Sequence, residues 1–77
     1  MEYKINIATS DQSLALNRIA SKYPFEIWVH GVSGQADAKS MLGLMLLTLE
    51  TDLKIVVADG ADVSAFEADI AEYLVKE

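Results

Sequence analysis

The feature that most constrains the fold is an apolar stretch in the middle of the chain, from Lys39 to Leu49. Ser40 favours the N-cap of a helix, so a helix is predicted to begin there. In that helix Leu44 and Leu47 lie on one side, and most of the other apolar side chains lie on the opposite side. A chain of 77 residues can cover only one of these sides with its own core. The other side is a candidate docking surface.

The spacing of apolar residues predicts the remaining strands and helices. Alternating apolar and polar residues indicate half-buried strands, and apolar residues three and four apart indicate helices. Thr9 and Gln12 have the spacing of a capping box for the first helix. The last helix has two candidate caps, Asp62 and Ser64, the second with Glu67 as its capping-box partner. The predicted elements are a strand over residues 3–7, a helix between Thr9 and Pro24, strands over residues 25–30 and 35–37, a helix from Ser40, a strand over residues 53–58 and a final helix over residues 63–74.

This order, βαββαβα, predicts a single α+β domain over residues 1–77. With strands this short, the economical arrangement is an open-faced β-sandwich, in which a four-stranded antiparallel sheet carries three helices on one face. A ferredoxin-like βαββαβ core has the same order without the last helix, and the pattern does not separate the two.

Composition excludes several classes of function. The formal net charge of −6 argues against a nucleic-acid-binding protein, which would present a basic face. The chain has no cysteine, and it begins Met1-Glu2-Tyr3-Lys4 without the pattern of a signal peptide, so we expect a cytoplasmic protein. The longest apolar run is about half the length of a membrane span, so no membrane segment is expected.

Three segments, in their order and spacing, resemble the HPr family of small phosphocarrier and regulatory proteins of the bacterial sugar phosphotransferase system. They are Ala20 to Tyr23, Lys39 to Met45 (Lys-Ser-Met-Leu-Gly-Leu-Met) and Ala58 to Asp62. The similarity extends from about Leu14 to the C-terminus, and its most specific part is the second segment. The resemblance implies the same open-faced sandwich and a protein that binds other proteins and is not an enzyme.

The family carries its phosphoryl group on a histidine in a Gly-x-His-Ala-Arg-Pro motif, where the first strand meets the first helix. Histidine suits this role because neutral imidazole is nucleophilic near pH 7. In this chain an ungapped count places Thr9 at the histidine position, followed by Ser10, with Asp11 at the arginine position and Gln12 at the proline position. An aspartate there would repel phosphate. We therefore expect histidine phosphocarrier activity to be lost from this degenerate corner.

The chain's one histidine, His30, is predicted to lie outward at the end of the second strand, beside Trp28. It is far in sequence from the start of the first helix, so it is interpreted as a solvated polar residue and not as a catalytic one. One histidine, no cysteine and scattered carboxylates lack the spacing of a metal site. No metal or other cofactor is expected.

Ser40 is the second family site. In many Gram-positive HPr proteins the corresponding serine is phosphorylated by a dedicated kinase, and the resemblance makes Ser40 a candidate regulatory phosphorylation site. A phosphate at an N-cap is tolerated or mildly stabilising, because it lies at the positive end of the helix. The alternative is that Ser40 only caps the helix.

The apolar side of the helix corresponds by resemblance to the surface that HPr proteins press against their partners, and Arg18 matches a basic partner-contacting position. Methionine adapts its shape, which suits a surface that meets several partners. The expected partner is a phosphotransferase-system or regulatory protein, although a homodimer through the same face would also cover it. The predicted partner-binding residues are Arg18, Met41, Leu42, Met45, Leu46 and Leu49.

Three hypotheses follow for the function. The first is a regulatory or protein-binding HPr-like module that has lost the phosphohistidine. The second is a phosphocarrier that uses Thr9, Ser10 or another residue. The third is an unrelated ligand-binding domain of ferredoxin-like type.

Overall fold

The chain folds as an α+β open-faced sandwich in the predicted order βαββαβα. The structure, a computed structural model, describes residues 1–75. Its elements are β1 Glu2–Ile5, α1 Ser10–Ser21, β2 Ile27–His30, β3 Gln35–Asp37, α2 Met41–Leu47, β4 Leu53–Val57, α3 Ser64–Ile70 and a 3₁₀ turn Ala71–Tyr73.

The four strands form one sheet in the order β1-β4-β2-β3, and every neighbouring pair is antiparallel. The helices cover one face, where α1 packs against both α2 and α3. Strand β4 is central and pairs with β1 through Tyr3 and Ile55 and with β2 through Val29 and Ile55. The packing of α3 against α1 is a feature that a ferredoxin-like βαββαβ core lacks.

The core lies between the helices and the inward face of the sheet. Alternation along the strands sends one set of side chains inward, and these are at most 1% exposed: Ile5, Ile27, Val29, Ile55 and Val57. The helices contribute Leu16, Ala20, Leu44, Phe66 and Ile70, all fully buried. Burial of each large apolar side chain stabilises the fold by roughly 1.5–3 kcal/mol.

The last helix is shorter than predicted. Helix α3 ends at Ile70, and Leu74 is extended, with φ −68° and ψ 136°. The reason is a long-range contact with β1, because the Tyr73 carbonyl accepts a hydrogen bond from the Asn6 N–H at 2.8 Å and Leu74 forms an antiparallel bridge with Ile5. Strand β1 ends at Ile5, where its pairing with β4 ends, two residues before the predicted end of that strand.

The predicted capping box of the last helix is wrong. The N-cap position is Val63, and the Asp62 carboxylate accepts a hydrogen bond from the Ser64 N–H at 3.1 Å. Glu67 instead accepts a hydrogen bond from the Tyr3 hydroxyl at 2.8 Å, across to β1. Asp62 therefore assists the helix start, as its position in the turn suggested.

Candidate functional site

Helix α2 divides its apolar side chains between the core and the surface. Leu44 and Leu47 are 0% and 8% exposed, on the inward side that their spacing predicted. The outward side chains are Met41 at 51%, Leu42 at 73%, Leu46 at 62% and Leu49 at 83% exposed, and Met45 is half-buried. We call these five outward residues the α2 docking surface.

Leu49 lies beyond the helix and not on it. Helix α2 ends at Leu47, and Thr48 is its C-cap. The Thr48 hydroxyl donates to the Met45 carbonyl at 3.2 Å, and the Leu49 N–H bonds the Leu46 carbonyl at 3.4 Å in a tighter turn. The docking surface therefore combines one helix and the turn that follows it.

Ser40 occupies the N-cap position of α2, but its hydroxyl does not act as a cap. Its carbonyl accepts a hydrogen bond from the Leu44 N–H at 2.9 Å, and its side chain makes no capping hydrogen bond. The side chain is exposed. The expectation that the Ser40 hydroxyl caps α2 is wrong, so this hydroxyl has no structural hydrogen bond to lose on modification.

Lys39, which belongs to the segment most similar to the family, has a structural role in this chain. Its Nζ donates to the Tyr23 carbonyl at 2.7 Å, just after the end of α1. A cation is favourable at this end of a helix. Lys39 thereby joins α1 to the segment that leads into α2.

The corner after β1 contains a variant of the predicted capping box, in which Gln12 binds the N–H of the residue before the N-cap. Thr9 is the N-cap of α1, and its Oγ1 accepts a hydrogen bond from the Gln12 N–H at 3.2 Å. Gln12 Oε1 accepts in return from the Ala8 N–H at 2.6 Å. Thr9, Ser10 and Asp11 are exposed.

The structure brings this corner together with part of the α2 docking surface. Met45 and Leu49 line one cleft with Thr9 and Ser10. The rest of its lining is Asn6, Ile7, Ala8, Ser13, Thr48, Glu50 and Thr51. The corner and the docking surface are therefore continuous.

Negative charge adjoins this cleft. Glu50 accepts hydrogen bonds from both the N–H and the hydroxyl of Ser33, the first at 3.0 Å. These donors hold the pKa of the Glu50 carboxyl below its ordinary value, so it stays ionised. Asp11 adds a second carboxylate in the first turn of α1. A phosphoryl group in the corner would have carboxylates as neighbours and no arginine clamp.

Close packing holds the turn after β2 against α2. A Cβ added to Gly31 would lie 2.9 Å from Leu47 Cδ1 and 3.0 Å from Glu50 Oε1. A larger residue here would therefore require the side-chain ends of Leu47 and Glu50 to shift. The Ser33 hydrogen bonds to Glu50 fasten the same turn.

Arg18 is exposed in the last turn of α1. The preceding residue, Asn17, is buried, and its side-chain amide donates to the Ala38 carbonyl at 3.0 Å. This hydrogen bond ties the last half of α1 to the segment before Ser40.

His30 lies elsewhere. It lines a different cleft together with Lys4 and Lys54, and all three residues have strand positions that face away from the helices. Trp28 is half-buried on the same face. Among residues 1–75 no group of three or more His, Asp or Glu side chains is placed to hold a metal ion.

The hydroxyls of Ser13 and Thr48 form a hydrogen bond that joins α1 to α2. The sequence analysis does not predict it. Both residues are buried, at 2% and 8% exposed. The available signal was Thr48 itself, a polar residue inside an otherwise apolar run, because a buried hydroxyl needs a partner.

A comparison with protein families identifies the group to which this arrangement belongs. Residues 12–76 match the family model described as the PTS HPr component phosphorylation site. The chain belongs to the HPr family. The match begins at Gln12, after the corner residues Thr9, Ser10 and Asp11.

A solved structure confirms the HPr fold. The crystal structure of HPr-C-His from Thermoanaerobacter tengcongensis is similar to this chain with a TM-score of 0.71 and 23% sequence identity, over 95% of this chain and 90% of that one. No curated protein matches the chain. The ferredoxin-like alternative is therefore wrong.

HPr-family membership fixes the role in coarse terms. HPr proteins are phosphocarriers and not enzymes, they work in the cytoplasm, and they bind other proteins of the phosphotransferase system. A role related to that system follows for this chain. No helix within residues 1–75 has the length and apolar character needed to cross a membrane.

Proposed function

We propose that this HPr-family protein is a regulatory protein-binding module that docks through the α2 docking surface and carries no phosphohistidine. The observation that carries the proposal is the exposure of Met41, Leu42, Leu46 and Leu49, between 51% and 83%. Apolar side chains grouped in this way mark protein-binding sites on small soluble proteins. The corner, by contrast, has no histidine.

The hydrogen bonds of the corner also support loss of phosphate transfer. Thr9 Oγ1 already accepts a backbone N–H, and a threonine hydroxyl is a weak nucleophile without an adjacent base. Asp11 and the ionised Glu50 add negative charge near the site. Each of these features disfavours transfer of a phosphoryl group through the corner.

Ser40 is the proposed regulatory site. Its side chain is exposed and makes no capping hydrogen bond, so a kinase can reach it without breaking one. A phosphate there adds negative charge at the N-terminal end of α2, directly before Met41 and Leu42 of the docking surface. The modification would change the charge of the surface that the partner contacts.

The proposed partner is a phosphotransferase-system or regulatory protein that covers the α2 docking surface and contacts Arg18. A second copy of the chain, bound through the same surface, is the alternative occupant. Sedimentation of the purified protein over a wide concentration range separates the two, because a homodimer dissociates on dilution.

The test is phosphorylation with two donors, followed by mass measurement. With phosphoenolpyruvate and the general phosphotransferase enzyme we expect no acid-labile phosphate, while a histidine-containing HPr in the same reaction gains one. With ATP and an HPr serine kinase we expect one acid-stable phosphate, which Ser40→Ala abolishes. An acid-labile phosphate on the native chain would refute the loss of phosphocarrier activity.

A matched pair of variants tests the docking surface. Leu42 and Val32 are 73% and 78% exposed, and only Leu42 belongs to the docking surface. Leu42→Ser should weaken binding to the general phosphotransferase enzyme by about tenfold, as loss of a central apolar contact does. Val32→Ser should leave the affinity unchanged, and equal losses for both would contradict the assignment.

A further inference from the structure

The sheet face that the helices leave open carries a row of basic side chains. Lys4 of β1 lies directly opposite Lys54 of β4, and Lys54 lies directly opposite His30 of β2. Because neighbouring strands are about 4.8 Å apart, the three residues span roughly 10 Å. Their neighbours along each strand point into the core, so this row points away from it.

This grouping is unusual for so acidic a chain. The protein has 6 lysine and arginine residues against 12 acidic ones, and two of those cations face each other here. Like charges directly opposite on neighbouring strands are destabilising. Glu2 offsets part of the repulsion through a 3.0 Å ion pair with Lys54, but both side chains are exposed, at 61% and 46%. Exposed pairs contribute little.

The row lines a cleft that also has apolar lining residues. The cleft has a volume of about 380 Å³, and Lys4, His30 and Lys54 are among its lining residues. Val32 and Val75 also line it, and they are 78% and 44% exposed. Small-molecule sites typically have volumes of about 300–1,000 Å³ and combine apolar walls with a few polar groups. This cleft has both features and lies outside the proposed docking surface.

We propose that this cleft binds a small organic monoanion, a carboxylate attached to an apolar body. The carboxylate lies against Lys54 and the imidazole of His30, and the apolar body contacts Val32 and Val75. Asp52 also lines the cleft, so a second negative charge on the ligand would be repelled. The preferred ligand therefore carries one charge.

Benzoate is a suitable probe, with benzyl alcohol as its uncharged counterpart. At constant ionic strength, benzoate should produce saturable shifts in the backbone amide NMR signals of His30, Val32, Lys54 and Val75. Benzyl alcohol should bind at least about tenfold more weakly, because its hydroxyl carries no negative charge to pair with the Lys54 ammonium. Equal binding of the two probes, no saturable shift, or shifts confined to α2 would each overturn the proposal.

Three variants make the test specific. Lys54→Met keeps the aliphatic stem and loses the charge, and it should weaken benzoate binding about tenfold. Lys22→Met removes the same charge from the end of α1, on the helical side, and should change nothing. Equal losses for these two would show non-specific attraction and overturn the site. Val32→Ser changes an exposed side chain and should weaken benzoate binding several-fold. An unchanged affinity would contradict the proposed contact between Val32 and the apolar body of the ligand.

Discussion

The corner after β1 shares a cleft with Met45 and Leu49 of the α2 docking surface, yet the side chains of the two regions differ in what they contact. Leu42 and Leu49 are 73% and 83% exposed and are covered by nothing in residues 1–75. In the corner, Thr9 and Gln12 both use their side-chain oxygens to accept backbone N–H groups. The docking surface therefore has apolar area left for a partner, whereas the side-chain oxygens of Thr9 and Gln12 already bind the chain's own backbone.

The largest expected effect is on stability, and it should differ between the inward and outward sides of α2. Leu44→Ala should lower the free energy of unfolding by about 2–5 kcal/mol, because Leu44 is fully buried and its loss leaves a cavity. Leu42→Ala, on the same helix but exposed, should change it by no more than about 0.5 kcal/mol. Urea unfolding measures both, and a large loss for Leu42→Ala would mean that the docking surface is part of the core.

A second comparison concerns the two N-caps. Thr9→Ala should lower the free energy of unfolding by about 1 kcal/mol, because the Thr9 hydroxyl caps α1. Ser40→Ala should lower it by a few tenths of that at most, since the Ser40 hydroxyl makes no capping hydrogen bond. Similar losses for the two variants would show that Ser40 is a structural cap, which would weaken its assignment as a regulatory site.

The smallest effect concerns the charge beside the corner. Because two Ser33 donors lower the pKa of Glu50, this carboxylate contributes stability above its ordinary pKa, and the contribution is lost as the pH falls through the lowered value. Ser33→Ala removes the hydroxyl donor, so the pKa of Glu50 should rise towards its ordinary value. The stability difference between the native protein and Ser33→Ala should then be largest at pH 7 and shrink below about pH 4.

Carbon-13 NMR titration of the Glu50 carboxyl measures this pKa directly, and Ser10→Ala provides a control with a neighbouring hydroxyl removed. An unchanged pKa in Ser33→Ala would show that the backbone N–H groups of Ser33 and Val32 lower the pKa of Glu50 without the hydroxyl.

The local sequence pattern is enough to predict the order of the elements and the division of the α2 side chains between core and surface. Alternation and helical spacing depend on residues within one element, and the capping box of Thr9 and Gln12 depends on residues three apart. The inward positions of Leu44 and Leu47 follow from the same spacing. These features are predictable because neighbouring residues determine them.

Contacts between distant residues account for what the pattern missed. The early end of α3 results from the bond between Asn6 and the Tyr73 carbonyl, 67 residues away, and nothing near Tyr73 encodes it. Lys39 begins the segment most similar to the family, and the pattern does not reveal that its Nζ binds the Tyr23 carbonyl. The basic row of Lys4, His30 and Lys54 exists only after β4 inserts between β1 and β2.

The most direct test of the account rebuilds the corner. A triple variant, Thr9→His with Asp11→Arg and Gln12→Pro, restores the family's residues at the positions given by the ungapped count. Native and rebuilt proteins are incubated with phosphoenolpyruvate and the general phosphotransferase enzyme, and acid-labile phosphate is measured by mass. We expect phosphate on the rebuilt chain alone, whereas equal labelling of the native chain would show that its corner still carries phosphate and would contradict the loss of phosphocarrier activity.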